Sequence, residues 1–351
     1  MNDAPAVSPD VKPKELKVLK TDVQLSAARY SPCGKTLAAP TLDGRVLRWE
    51  VSGEDITERA AVTGHHGWCT AVAFGSDGET AFSADSHGKI CAWPFAAEAP
   101  QPKWSQPVAH DGWVRDLAVS PDGGTLATCG KDKKVRLWST ADGAKRAEWD
   151  GDGDVYCLAF APDGGSLFTG DDRGVIRRRK PDGELIREYA AAELYTLSRL
   201  QDVGGVRCLA IARDGKSVFA GGTIPKGGAT ITGVPLLLAF DVESGAQTQR
   251  VELGDATQVN VVDLYLHADG YVAVVTNGSP GQGQLLLWRP GEKEPFFKEK
   301  KMANIQSLSF RSDGNQFALV ATNGGSNGNG RVVKDGKYVN NFCPVHVWSL
   351  R

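Results

Sequence analysis

Residues 109–138 read AHDGWVRDLAVSPDGGTLATCGKDKKVRLW, and this stretch decides the fold. Ser120-Pro121-Asp122-Gly123 at its centre favours a tight turn, because the Asp side chain bonds its own backbone and Gly supplies a positive φ. An apolar strand precedes the turn, a second strand begins at Thr125, and a third strand ends on Trp138. The stretch therefore predicts three short strands in succession.

The pattern occurs seven times in the chain, with turn glycines between 41 and 55 residues apart. The turn glycines are Gly34, Gly78, Gly123, Gly164, Gly215, Gly270 and Gly314. The third strands end on the large side chains of Trp49, Trp93, Trp138, Arg179, Phe240, Trp288 and Trp348. A polar outer strand then leads to the next unit, and four short strands in a period of this length predict the blades of a propeller.

Two stretches, Gly64–Trp93 and Ala109–Trp138, resemble the WD-repeat (Trp-Asp repeat) β-propeller family. The resemblance continues, more weakly, over nearly all of the chain after Lys14. It implies an all-β fold: a seven-bladed β-propeller of four-stranded antiparallel blades, closed into a ring by an N-terminal strand. The alternating segment Glu15–Lys20 is the candidate for that strand. We expect residues 1–13 to be a disordered N-terminal tail and residues 14–351 to be the propeller.

Blades of this family often bury a hydrogen-bonded set of His, Ser or Thr, Asp and Trp. The third unit matches the whole set with His110, Thr128, Asp132 and Trp138. The second unit supplies His65, Ser83 and Trp93, whereas its turn residue Asp85 lies two positions early. The first unit lacks the histidine and the later units lack most of the set, so the resemblance implies a structural role for these residues in blades 2 and 3 above all.

Composition excludes several classes of protein. Of 351 residues 41% are hydrophobic and 23% charged, with a net charge of −2, so no global basic field suggests a nucleic-acid or membrane-surface binder. The longest apolar run, 234–240, is far shorter than the roughly 20 residues of a membrane helix. The seven cysteines are scattered with no Cys-x-x-Cys pair, which indicates free thiols. Without a signal-type segment at its start, the chain is expected to be cytoplasmic.

Insertions concentrate in the later units. They fall between the second and third strands at residues 223–235, 277–284 and 323–338, and in the approach to unit five at residues 190–203. In a propeller all four positions lie on one face, which we call the top face. Long loops on a rigid scaffold often carry binding residues. For residues 323–338 a flexible linker explains the Gly/Asn-rich composition equally well.

Aligning the units places one residue of each inner strand at the mouth of the central channel. These mouth residues are Ser26, Thr70, Arg115, Tyr156, Arg207, Val262 and Gln306, with Trp68 and Trp113 just before the second and third inner strands. Tryptophan, tyrosine and arginine are enriched in binding hot spots. We therefore expect a protein or peptide partner at Trp68, Thr70, Trp113, Arg115, Tyr156, Arg207 and Gln306. The alternative is that both tryptophans only cover the blade edge.

The sequence shows no catalytic constellation, cofactor motif or metal-ligand spacing. The basic run Arg177–Lys180 is interpreted as a solvated blade edge rather than a phosphate-binding patch. The leading hypothesis is a non-enzymatic interaction scaffold. The alternative is an enzyme-like or small-ligand-binding propeller with a site in the central channel, although the absence of carboxylates among the seven mouth residues argues against a metal there. A third hypothesis, nucleic-acid binding through Arg115 and Arg207, predicts a strong dependence of binding on salt.

Overall fold

The turns joining the first two strands of each unit form as the sequence predicts. In the third unit the Asp122 carboxylate accepts hydrogen bonds from the Ser120 hydroxyl and the Gly124 amide. Gly123 takes φ +74°, in the left-handed region that costs other residues more. Each such turn joins two strands into a hairpin, and the hairpin forms the inner half of a four-stranded sheet.

A computed structural model describes residues 11–198, 200–226, 232–254, 258–278, 283–322, 332–334, 337–339 and 342–350. In this part of the chain the strands form seven four-stranded antiparallel blades. Strand β1 (Lys14–Leu19) comes first in the sequence but belongs to the last blade. The family resemblance therefore gave the correct fold class.

In the first six blades the strands follow one another in chain order from the channel outward. Blade 1 contains β2 (Arg29–Tyr30), β3 (Thr36–Pro40), β4 (Arg45–Ser52) and β5 (Asp55–Thr63). Blade 2 contains β6 (Cys69–Phe74), β7 (Thr80–Asp85), β8 (Ile90–Pro94) and β9 (Trp104–Gln106). Blade 3 contains β10 (Val114–Val119), β11 (Thr125–Gly130), β12 (Lys134–Ser139) and β13 (Lys145–Asp150). Blade 4 contains β14 (Val155–Phe160), β15 (Leu167–Asp171), β16 (Val175–Arg179) and β17 (Leu185–Ala190).

A 3₁₀ turn (Ala192–Leu194) and a hairpin of β18 (Tyr195–Ser198) and β19 (Gln201–Gly204) precede blade 5. Blade 5 contains β20 (Cys208–Ile211), β21 (Ser217–Lys226), β22 (Thr232–Asp241) and β23 (Gln247–Glu252). Blade 6 contains β24 (Gln258–Leu266), β25 (Val272–Gly278), β26 (Gly283–Trp288) and β27 (Phe297–Met302). Blade 7 contains β28 (Ile305–Phe310) and β29 (Gln316–Ala321), then, after a small hairpin of β30 (Val332–Lys334) and β31 (Lys337–Val339), β32 (Val345–Ser349).

The ring closes through the N-terminal strand. Strand β1 pairs antiparallel with β32, from Lys14 opposite Ser349 to Leu19 opposite Val345. The imidazole of His346 lies 2.5 Å from the carboxylate of Glu15 across this pair. Closing the ring covers the edge of β32, which would otherwise offer unpaired backbone groups to another chain.

The core lies between blades rather than inside any one of them. Apolar side chains of neighbouring sheets interdigitate, as where Val46 of blade 1 packs with Val72 and Trp93 of blade 2. Trp93 and Trp288 are fully buried in such layers. Because every blade contacts two others, the inner strands are held at fixed positions around the channel.

The insertions differ in structure. That of blade 5 is a continuation of the sheet: β21 and β22 pair without interruption to Lys226 opposite Thr232, so the excess length forms a long hairpin rather than an open loop. The insertion before blade 5 is the β18–β19 hairpin, whose Leu197 and Leu200 are 60% and 94% exposed. Most of the expected loop at 323–338, including its Gly/Asn-rich run, lies outside the described residues, as do 279–282 and the first ten residues. No helix in the described ranges is long and apolar enough to cross a membrane.

Candidate binding site at the channel mouth

A β-bulge places five of the seven mouth residues. In blade 3 Val114 pairs with Gly130 and Asp116 pairs with Cys129, so Arg115 is the extra residue of β10. The same shift leaves Thr70, Tyr156, Val262 and Gln306 unpaired in their inner strands. A bulge re-aims a side chain and interrupts the alternation of faces. All seven mouth residues line one cavity of about 320 Å³, which is the central channel.

Three aromatic rings and two guanidinium groups form a continuous stack across blades 2 to 5, which we call the mouth ladder. Trp68 meets Trp113 edge to face, with ring centroids 5.3 Å apart. The Arg115 guanidinium lies 5.5 Å from the Trp113 ring and 5.2 Å from the Tyr156 ring, and Arg207 covers Tyr156 at 4.2 Å. Trp68 remains 48% exposed. The tryptophans do pack on each other, yet the ladder keeps a large aromatic surface open to the top face.

The two arginines of the mouth ladder differ in their charge partners. Arg115 forms an ion pair of 2.7 Å with Asp154, the residue just before β14. Arg207 forms no ion pair with any described residue, whereas the Nε atoms of both arginines are alike in being buried without a hydrogen-bond partner. Arg207 is therefore the more available cation of the two.

A groove of about 570 Å³ adjoins the channel on the side of blades 1 to 3 and 7. Trp68, Trp113 and Leu42 contribute apolar surface, while Thr70 and Gln306 contribute polar atoms. Thr70 donates its hydroxyl to the Val114 carbonyl at 2.7 Å, so it also ties blade 2 to blade 3. Groove and channel share several mouth residues, and together they form one concave surface.

Two carboxylates and an arginine inside the channel are functional candidates that sequence reasoning missed. Asp116 and Asp263 occupy equivalent positions, one residue after the bulge, and line the same cavity as Arg29. Asp116 accepts the backbone N–H groups of Leu117 and Leu158, and burial raises its pKa to about 6. Asp263 forms an ion pair with Arg29 at 3.0 Å. The mouth residues themselves include no carboxylate, whereas the channel lining contains Asp116 and Asp263 beside three arginines.

These channel residues also couple the blades. Asp116 reaches from blade 3 to the Leu158 amide of blade 4, and Asp263 reaches from blade 6 to the Leu308 amide of blade 7, at 3.0 and 2.9 Å. Ser307 accepts the Ala28 amide at 2.9 Å across the junction that closes the ring. The mouth ladder is thus carried by inner strands that are hydrogen-bonded to one another.

The expected structural set of blade 3 is assembled by hydrogen bonds. His110 lies 2.7 Å from the Thr128 hydroxyl and 2.9 Å from Asp132, and Trp138 donates to Thr128 at 2.9 Å. Burial lowers the pKa of His110, so its imidazole is neutral near pH 7. Burial opposes the ionisation of Asp132, but hydrogen bonds from His110 and Arg136 outweigh it and lower the pKa of Asp132 far below its ordinary range.

Blade 2 contains the same set with one difference from expectation. His65 lies 2.7 Å from Ser83, which also accepts from Trp93 at 2.7 Å. Asp85, which the sequence places two residues early, nonetheless meets His65 at 2.9 Å. The position of Asp85 at the end of β7 lets its short side chain turn back to the ring, and the set is complete.

The basic run does not form a solvated edge throughout. Arg177 is buried and ion-paired with Asp152, Asp171 and Glu188. Arg178 pairs with Glu243. The interpretation as a solvated blade edge is therefore wrong for Arg177, which in blade 4 pairs with the buried Asp171 where blades 2 and 3 have a histidine. These neutralised charges offer no phosphate-binding patch.

Comparison with known families matches three segments to the family described as WD domain, G-beta repeat: residues 57–94, 103–139 and 143–177. Each segment starts near or within the outer strand of one blade and continues through the inner strands of the next. The remaining blades repeat the same four-stranded plan around the ring. The chain contains three WD repeats within a ring of seven four-stranded blades.

Among curated proteins, this WD-repeat propeller is similar to the 66 kDa stress protein of Physarum polycephalum. The two are 33% identical over 70 residues, which is 20% of this chain and 12% of that protein. The chain thus matches only a small part of that relative's length.

WD-repeat propellers typically bind proteins or peptides and are generally non-enzymatic. Among the described residues no three metal-ligating side chains converge.

Proposed function

We propose that this WD-repeat propeller is a non-enzymatic scaffold that binds a peptide segment of a partner protein on its top face. The observation that carries the proposal is the mouth ladder beside an open groove of about 570 Å³. Trp68 keeps 48% of its surface exposed although tryptophan is costly to leave in water. Aromatic and arginine side chains around a concave surface are the residue types that dominate binding energy.

Rigidity supports the same proposal. The mouth residues precede or lie within inner strands that pair within each blade and are linked between blades through Asp116, Asp263 and Ser307. A partner that binds this surface orders few additional side chains, so little of the binding free energy is lost to entropy.

The small-ligand alternative has less support. Asp116 and Asp263 would be its acidic groups, but each already accepts two backbone N–H groups, and Asp263 also pairs with Arg29. Their hydrogen bonds to Leu158 and Leu308 join neighbouring blades, so a structural role in the ring explains both carboxylates.

Selection of displayed random dodecapeptides on the immobilised protein tests the proposal. We expect selected peptides to bind wild type and to lose most of their affinity for Trp68→Ala. Leu185→Ala, a matched control on the outer strand β17 with a similar exposed fraction of 44%, should bind them as wild type does. Selection of no peptide, or equal loss in both variants, would contradict the top-face site.

A further inference from the structure

The backbone around Arg207 is fixed before any ligand arrives. The Arg207 amide donates to the Gly221 carbonyl at 2.8 Å, and the amides of Gly205 and Val206 donate to Leu194 and Asp171. The guanidinium lies on the Tyr156 ring at 4.2 Å, which restricts its rotamers. The group is presented at the mouth in one orientation, so a ligand does not have to order it.

Charge matching leaves this guanidinium unpaired. Arg115 is paired with Asp154 at 2.7 Å, and Arg29 is paired with Asp263 at 3.0 Å. Arg207, the third cation of the channel lining, has no carboxylate among the described residues within ion-pair distance. Arg207 therefore keeps a positive charge without an ion-pair partner, while the Asp116 carboxyl of the same lining is held by two backbone amides.

A carboxylate matches this unpaired guanidinium. The guanidinium is a planar fork that matches the two oxygens of a carboxylate, and such charge-assisted bonds are stronger than neutral ones. A basic ligand side chain at the same place would meet Arg115 and Arg207 together. A dianionic phosphate would bring two charges to one unmatched cation. The single free positive charge therefore favours a side-chain carboxylate.

Apolar surface lies next to this position. Trp113 stacks against Arg115, and beyond it Trp68, Leu42 and Leu25 line the adjoining groove. A peptide whose acidic side chain reaches Arg207 would place neighbouring residues over this groove. Burial of an apolar side chain there adds affinity without further charge.

We propose that the mouth recognises an acidic peptide segment, in which an Asp or Glu carboxylate pairs with Arg207 while an adjacent apolar side chain packs on Trp68 and Trp113. This inference rests on the proposed peptide-binding function and adds the chemistry of the partner.

The test uses the full chain and arrayed decapeptides with one fixed central residue, Glu, Gln, Lys or phosphoserine, among randomised positions. We expect wild type to retain the Glu set about tenfold better than the Gln set and to reject the Lys set. Arg207→Gln should abolish the Glu preference, and Arg207→Lys should keep part of it. Arg213→Gln, the same change of charge in the exposed turn of blade 5, should leave it intact.

The outcomes separate the two proposals. Peptides bound without preference between Glu and Gln, a Glu preference that survives Arg207→Gln, or stronger retention of phosphoserine would overturn the acidic-segment inference and leave peptide binding in place. Retention of no set by wild type would contradict the peptide-binding function, and the inference with it. Because Arg207 makes no ion pair with the described residues and the variant loses only the contact with Tyr156, it should unfold near the temperature of wild type, and thermal unfolding checks that the fold is intact.

Discussion

Replacing Asp116 with Asn should change how stability depends on pH. Burial raises the pKa of this carboxyl from an ordinary 3.8 to about 6, a difference of about 2 units, and each unit corresponds to 1.36 kcal/mol. The folded state thus holds a proton that the unfolded chain releases. For such a group the free energy of unfolding falls as pH rises from about 4 to about 6 and is level above that range. Asp116 accounts for about 2–3 kcal/mol of that fall.

Asp116→Asn removes the titrating group. The free energy of unfolding of the variant, relative to that of wild type, should therefore rise by about 2–3 kcal/mol between pH 4 and pH 7. The hydrogen bond that the Asn side chain cannot accept from Leu117 or Leu158 gives a constant offset and does not affect this difference. Urea unfolding followed by tryptophan fluorescence at fixed salt measures both proteins across the range.

Ser307→Ala is the matched control for that experiment. Ser307 also accepts a backbone amide of the next blade, that of Ala28, but its hydroxyl does not titrate. Its curve should run parallel to that of wild type at every pH. If Asp116→Asn also runs parallel, within about 0.5 kcal/mol, burial does not hold a proton on Asp116, and the assignment of that carboxyl is refuted.

Two further substitutions test how the structure supports the mouth. Asp132→Ala should lower the free energy of unfolding by about 1–3 kcal/mol, because His110 and Arg136 lose their buried partner; a loss below about 0.5 kcal/mol in urea unfolding would show that the set is not stabilising. Gly205→Ala should weaken both folding and peptide binding, since Gly205 takes φ +96° and a Cβ would lie 2.6 Å from the Cα of Asp172. Gly112, at φ +93° with open space around its Cβ position, is the control: Gly112→Ala should cost less in thermal unfolding, and equal costs would contradict the steric argument.

Repetition makes much of this molecule predictable. Arg115, Tyr156 and Arg207 could be placed together because units align on their turns and equivalent residues of a propeller face the same channel. The closing strand was predicted from the family resemblance, which implies that an N-terminal strand completes the last blade, together with the alternation of residues 15–20.

Local departures from regular strand geometry were not predictable. Alternation of faces would send Asp116 away from the channel when Arg115 points into it, but the bulge at Arg115 lets both line the cavity. Asp85 reaches His65 from an unexpected sequence position. It lies at the end of β7, where its side chain can turn back toward the imidazole. The length of the blade 5 insertion was evident, whereas its continuation as paired strands depends on tertiary contacts that a residue count does not show.

The charge partners of the mouth residues decide which of them can be changed without disturbing the fold. Arg115 is a poor choice for charge reversal, because a carboxylate at that position would face Asp154 and disturb the fold as well as the site. Neither Arg207 nor Trp68 faces such a partner among the described residues. Substitution of either one therefore tests binding with less effect on folding.

Backbone hydrogen exchange with and without a selected peptide tests the central claim most directly. Binding at the mouth predicts slower exchange in the backbone around Trp68, Arg115, Tyr156 and Arg207, with the outer strands β5, β13 and β17 unchanged. Protection confined to those outer strands would contradict the account, because the partner surface would then be the rim and not the channel mouth.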